Sequence, residues 1–179
     1  MGSVRLYGAT SGYLELQAPD VSPNATLEIP SGGFGKVLQV VRVTDATESS
    51  TSSSSFVDVT GMSVTITPQK ADSNILLIFN FSYFLQTVNG GTAQTAYYQI
   101  ADSSNSEIQT GYALWESAAS SAGRSNRLGN TTTMFAFTSP GSTSPVTYKL
   151  RFRVNDTNGY QKIENDNYTG QIYAIEVAA

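Results

Sequence analysis

The segment Asn74-Ile-Leu-Leu-Ile-Phe-Asn-Phe-Ser-Tyr-Phe-Leu-Gln86 alternates. Its odd positions are all apolar: Ile75, Leu77, Phe79, Phe81, Tyr83 and Leu85. Its even positions mix Leu76, Ile78 and Phe84 with Asn80 and Ser82. Alternation over a run rich in aromatic and branched residues predicts a strand with one fully buried face. A helix would scatter Asn80 and Ser82 among the phenylalanines and leave no polar stripe. At about 3.3 Å per residue the strand reaches roughly 40 Å, long for a small domain. Its half-apolar even face calls for partial cover, by a second layer of sheet or by a neighbouring subunit.

The pattern outside this strand is also β. Val37–Thr44, Phe56–Val59, Met62–Thr67, Thr95–Ala101, Glu107–Trp115, Asn130–Thr138 and Val146–Val154 read as strands, as do Tyr160–Glu164 and Gly170–Val177. In Val146–Val154 the side chains of Tyr148, Leu150, Phe152 and Val154 are expected inside, and Lys149, Arg151 and Arg153 outside. Glu48–Ser55 reads as a low-complexity loop, and Ser117–Ser125 as a second one. Val88-Asn-Gly-Gly91 carries a hairpin signal. No helix is expected. Short strands at regular spacing predict an all-β antiparallel sandwich or jelly roll, a class that includes C1q/TNF-like trimers.

Residues 1–35 differ. Three of the six prolines, Pro19, Pro23 and Pro30, fall there, which argues against long sheet strands. Tyr13-Leu-Glu-Leu and Thr26-Leu-Glu-Ile share a pattern, so the segment is either a loosely attached arm or a short stacking repeat. Ser31-Gly-Gly-Phe-Gly35 reads as a hinge. The expected division is an N-terminal docking arm, 1–35, and a sandwich, 36–179.

Composition narrows the function. The 179 residues carry a net charge of −4, and charged residues make up 13% of them, about half the usual share. Nucleic-acid binding is not expected. No run is long enough to cross a bilayer as a helix. The N-terminus lacks the apolar core of a signal peptide, so Sec-dependent export is not expected. Histidine and cysteine are both absent, which removes Ser-His-Asp, Cys-His, histidine-zinc and thiolate-metal chemistry. A carboxylate pair could still hydrolyse a glycoside. The carboxylates, among them Asp58, Asp102, Glu107, Glu164 and Glu176, sit mostly in turns or beside Ser and Asn. No catalytic residue, metal site or cofactor is expected. Asp156-Thr-Asn-Gly159 with Glu164-Asn-Asp-Asn167 suggests a calcium loop but fails the EF-hand spacing.

Two surfaces remain as candidates. Trp115, Tyr112, Tyr160 and Tyr168, with Tyr97 and Tyr98, could form a platform for sugar rings, or could fill a core or an interface. Lys149, Arg151 and Arg153 are either a solvated or edge-protecting face or a contact for an acidic neighbour.

The runs Gly8-Ala-Thr-Ser-Gly-Tyr-Leu-Glu-Leu-Gln-Ala-Pro19, Asn24-Ala-Thr-Leu-Glu-Ile-Pro30 and Gly35-Lys-Val-Leu-Gln-Val-Val41 resemble virion proteins of tailed phages. They are most similar to tail-fibre and appendage proteins of marine and cyanobacterial bacteriophages. Phe56–Pro68 and Ile75–Ile78 extend the resemblance, which covers about the first half of the chain. It implies a structural virion component assembled in the host cytoplasm, commonly a homotrimer. The N-terminal segment would dock on capsid, neck or tail, and the sandwich would face outward. The resemblance carries over no catalytic residue. A trimer interface is expected on the last strand, at Ile172, Tyr173, Ala174 and Ile175. The alternatives are a capsid decoration protein and a carbohydrate-binding adsorption module that contacts host surface glycan. A depolymerase ranks last.

Overall fold

The computed structural model describes residues 3–7, 13–17, 36–87, 95–113, 127–155, 157 and 159–179. The chain divides into two units, Met1–Phe34 and Gly35–Ala179. In the first, β1 (Ser3–Tyr7) pairs antiparallel with β2 (Tyr13–Gln17). The repeat partner Thr26–Ile29 lies outside the described residues.

The second unit is all β. Its strands are β3 (Val37–Asp45), β4 (Glu48–Thr51), β5 (Val57–Ile66), β6 (Asn74–Thr87) and β7 (Ala96–Asp102). Then come β8 (Glu107–Ala113), β9 (Arg127–Thr138), β10 (Val146–Val154), β11 (Gly159–Glu164) and β12 (Gly170–Val177). No helix occurs among the described residues. One sheet has four strands in the order β5-β10-β7-β8. The other has six and is built on β6. One edge of β6 is paired along its length by β9. Its other edge is shared, first by β12 and then by β11. Strand β3 lies outside β12, and β4 lies outside β11. All pairings are antiparallel, and the two sheets face each other as a sandwich.

The inner faces follow the alternation. Ile75, Leu77, Phe79, Phe81, Tyr83 and Leu85 of β6 are all buried, as are Tyr148, Leu150, Phe152 and Val154 of β10. Val59, Met62, Val64 and Ile66 of β5 close the same core. The Phe81 ring meets the Tyr98 ring edge-on at 4.9 Å, and Tyr83 lies 5.5 Å from the same ring. Burial raises the Tyr98 hydroxyl pKa well above its ordinary value, and the neighbouring Tyr83 adds to the shift.

Three expectations are corrected. Glu48–Thr51, read as loop, is a strand because its backbone pairs with β11. Phe56–Val59 and Met62–Thr67 are not separate strands: Val57–Ile66 runs through Gly61, whose φ of +79° is left-handed. A Cβ at Gly61 would also collide with the Asp45 carboxylate. Strand β10 is not an edge but lies between β5 and β7.

A buried carboxylate ties the end of the sandwich together. Glu176 of β12 is fully buried. Its Oε1 accepts from Gln69 N (2.8 Å), Lys70 N (3.2 Å) and Ser73 Oγ (2.6 Å). Its Oε2 accepts from Gln39 Nε2 (2.6 Å) and Gln69 N (3.0 Å). Burial pushes its pKa up, but the Ser73, Gln39 and backbone hydrogen bonds outweigh that and hold the group below the ordinary carboxylate value. One carboxylate thus fastens β3, β12 and the connection between β5 and β6.

Candidate interaction surface

The outward face of the six-stranded sheet is assembled by register. Val40, Ile175, Leu76 and Phe137 lie side by side across β3, β12, β6 and β9. Arg42, Tyr173, Ile78 and Phe135 form the adjacent row. At about 4.8 Å between strands, each row spans roughly 14 Å. Val40 is 56% exposed, Phe135 61% and Phe137 62%. A patch of large apolar side chains rimmed by polar ones marks a contact surface. Arg42 is its one charged member. The guanidinium carbon sits 5.8 Å from the centre of the Tyr173 ring, and Nη2 donates to Gln171 Oε1 at 3.4 Å.

The expected interface residues divide by alternation. Tyr173 and Ile175 point outward into this patch. Ile172 and Ala174 are fully buried between the sheets, beside Phe79 and Leu77 in register. They have no surface to offer a partner, so their assignment to an interface is corrected. Phe135 and Phe137 were missed by sequence reasoning, because hydrophobicity alone turns them inward. The pairing with β6 sets the opposite phase. It places Met134 beside Phe79 and Ala136 beside Leu77.

The same face becomes polar further along β6. Thr44, Gln171, Asn80 and Thr133 form the next row. Asn80 Nδ2 donates to Thr133 Oγ1 at 2.8 Å, and the Ser82 and Thr131 hydroxyls are bonded at 2.8 Å. Beyond them opens a cleft of about 360 Å³, lined by Ser82, Gly129, Asn130, Thr131, Glu164 and Tyr168 with the Tyr83 segment. Tyr168 is 64% exposed. It stands on a tight turn in which the Asn167 and Tyr168 amides both donate to Glu164 O at 3.1 Å. Asn165, buried beneath, donates from Nδ2 to Asp45 Oδ2 at 2.8 Å.

The expected aromatic platform is not a single surface. Tyr112 lies on β8 of the four-stranded sheet, in register with Tyr97, whereas Tyr160 and Tyr168 belong to the opposite side of the sandwich. Tyr98 is core. The Tyr160 ring packs 6.0 Å from Phe84, and its hydroxyl donates to Gln86 Oε1 at 3.0 Å. Trp115 lies outside the described residues.

Several charged groups are committed to structure. Asp58 accepts from Lys149 Nζ at 2.7 Å and from Arg151 Nε at 2.9 Å. Burial raises its pKa, and these two cations overcome that and lower it. Arg153 stacks 3.9 Å from the centre of the Tyr97 ring. The three cations therefore each have a partner within the chain. Asp102 Oδ1 accepts from Ser104 N, Ser104 Oγ and Ser106 N in its own turn. No group of three or more acidic side chains able to hold a metal occurs among the described residues. Asp156 and Asn158 of the calcium-like run lie outside them. No helix among them is long and apolar enough to cross a membrane.

No family model and no curated protein matches this chain. Among solved structures, it is similar to the VP2 protein of infectious bursal disease virus in a subviral particle. The identity is 15% and the TM-score 0.36, over 96% of this chain and 45% of that one. A T=1 particle of a VP2 mutant of the same virus gives 12% identity and a TM-score of 0.35, over 97% and 44%. The Gx strain gives 16% and 0.31, over 94% and 44%. The chain thus spans less than half the length of these viral proteins. At such distance the likeness carries no functional argument, and the architecture rests on the chain's own geometry.

Proposed function

We propose that the chain is a structural subunit of a phage virion, a homotrimeric fibre or appendage protein that works without catalysis. The observation that carries this reading is the outward apolar patch of Val40, Leu76, Ile78, Phe135, Phe137 and Ile175. A single chain leaves much of it in water, and a second and third copy would bury it. At about 25 cal/mol per Å² of apolar surface, covering three or four such side chains per subunit is a substantial driving force for assembly. The resemblance of the first half of the chain to tail-fibre and appendage proteins supports the same role. So does the β1–β2 pair, since an isolated two-stranded hairpin is marginal alone and gains from a partner. In this reading residues 1–35 attach the subunit to capsid, neck or tail, and the sandwich faces outward.

The test is sedimentation equilibrium of the full-length protein beside a variant carrying Phe135→Asp and Phe137→Asp. The wild type should have the mass of three chains. The variant, changed only on an exposed face, should keep its β circular dichroism and fall to one chain. A monomeric wild type would refute the trimer and favour a decoration or adsorption module.

A further inference from the structure

The Tyr168 cleft has features that the assembly proposal does not use. Its volume, about 360 Å³, is at the small end of ligand sites, which run from about 300 to 1,000 Å³. It offers one exposed aromatic ring, one carboxylate, two hydroxyls and one amide. The ring is placed by the turn anchored on Glu164 O, and the hydroxyls by the Ser82–Thr131 bond. Among the described residues no donor is hydrogen-bonded to the Glu164 carboxylate. Gly129 borders the carboxylate: a Cβ there would stand 3.9 Å from Glu164 Oε2, in ordinary contact, so a larger side chain would extend into the cleft.

From this arrangement we infer that the cleft is a subsite for one neutral pyranose ring of a polysaccharide. A pyranose presents an apolar C–H face, which stacks on an exposed tyrosine, and a rim of hydroxyls. Hydroxyls donate to a carboxylate in charge-assisted bonds, and both donate to and accept from an amide. A phosphate or sulfate would face Glu164 on a chain of net charge −4. A purely apolar ligand would strand the polar lining without partners. Another open cleft, about 300 Å³ beside Asp102 and Thr138, is a poorer fit because its aromatic residue, Tyr148, is buried and Asp102 Oδ1 is taken by its own turn. The subsite also stays compatible with assembly. Ser82 is four residues along β6 from Ile78, roughly 13 Å away, so burying the apolar rows leaves the cleft in solvent.

The probes are the methyl glycosides of glucose, galactose and mannose, with N-acetylglucosamine, each followed by saturation-transfer-difference NMR on the full-length protein. At least one should receive saturation, strongest on the ring protons of its apolar face. Tyr168→Ala should weaken that sugar about tenfold or more, equivalent to about 1.4 kcal/mol. Gly129→Val, which fills the cleft from a strand position that accepts a branched residue, should abolish the signal. Glu164→Gln should weaken it without abolishing it. Transfer to none of the four sugars would overturn the inference. So would a signal that survives both Tyr168→Ala and Gly129→Val. The site lies within one chain, so binding should persist in the Phe135→Asp, Phe137→Asp variant. Loss of trimerisation and loss of sugar binding are therefore read separately.

Discussion

Replacing Glu176 by glutamine removes a charge from the interior and changes almost nothing in shape. The carboxylate takes hydrogen bonds from four donors: Gln39 Nε2, Gln69 N, Lys70 N and Ser73 Oγ. An amide at this position keeps one oxygen and turns the other into a donor. With the amide nitrogen at the Oε2 position, it confronts Gln39 Nε2, and that bond is lost. The remaining bonds fall from charge-assisted to neutral strength, a loss of about 1 kcal/mol each, and the stranded donor costs about 1–3 kcal/mol. The sum is about 4–6 kcal/mol at neutral pH. With a urea m-value of about 2 kcal/mol/M, the unfolding midpoint should drop by about 2–3 M. The pH dependence separates this account from a simple packing defect. The folded pKa of Glu176 is held below the ordinary carboxylate value. Its contribution is therefore fully present above the unfolded pKa, and is lost as pH falls through the folded pKa. The gap between wild type and Glu176→Gln should be constant from pH 6 to 8 and should narrow in acid, below about pH 4.5. A variant as stable as wild type at pH 7, or a gap unchanged in acid, would show that the carboxylate does not hold this end of the sandwich.

Other substitutions probe other parts of the structure. Phe81→Ala should cost about 3–5 kcal/mol in chemical denaturation, because Phe81 is 1% exposed and its ring packs edge-on against Tyr98. An unchanged midpoint would mean that β6 does not carry the core. Gly61→Ala places a side chain at left-handed φ and against Asp45, and should lower stability by about 1–3 kcal/mol; a neutral result would disprove the close approach of β5 to Asp45. Ile172→Asp should abolish folding, whereas Tyr173→Asp should leave a folded chain with weakened self-association. Equal behaviour of the two would contradict the phase of β12. Asp58→Asn should cost no more than about 1 kcal/mol, since the Asp58 side chain is 53% exposed, and added salt should shrink the difference further.

The inner faces were legible because alternation there coincides with hydrophobicity. In β10, Tyr148, Leu150, Phe152 and Val154 could face only one way. In β6 the odd positions are apolar without exception. Strand β4 was not legible, because Glu48-Ser-Ser-Thr51 contains no apolar residue. It is held by its backbone ladder to β11 and by the Ser49 hydroxyl, which accepts from Thr60 N at 3.2 Å. The role of the three β10 cations was not legible either. Their partners, Asp58 and the Tyr97 ring, are 91, 93 and 56 positions away in sequence for Lys149, Arg151 and Arg153 respectively, and only the sheet order brings them together.

The outward patch was hardest to read, for a reason that also bears on function. In both β9 and β12, each face of the strand carries apolar residues, so hydrophobicity does not fix the phase. The pairing with β6 does. The interior beside Leu77 and Phe79 takes Ala136 and Met134 from β9, and Ala174 and Ile172 from β12. The larger rings then lie outside: Phe135 and Phe137 on one strand, Tyr173 on the other. A monomeric sandwich gains nothing from aromatic residues at those positions, since threonine would suit a solvated strand as well. Indeed threonine occupies the same face of β9 at Thr131 and Thr133, where the sheet turns polar towards the Tyr168 cleft. The change from threonine to phenylalanine along one strand face therefore divides the sheet into an apolar end, which the proposed assembly would cover, and a polar end, which it would leave open.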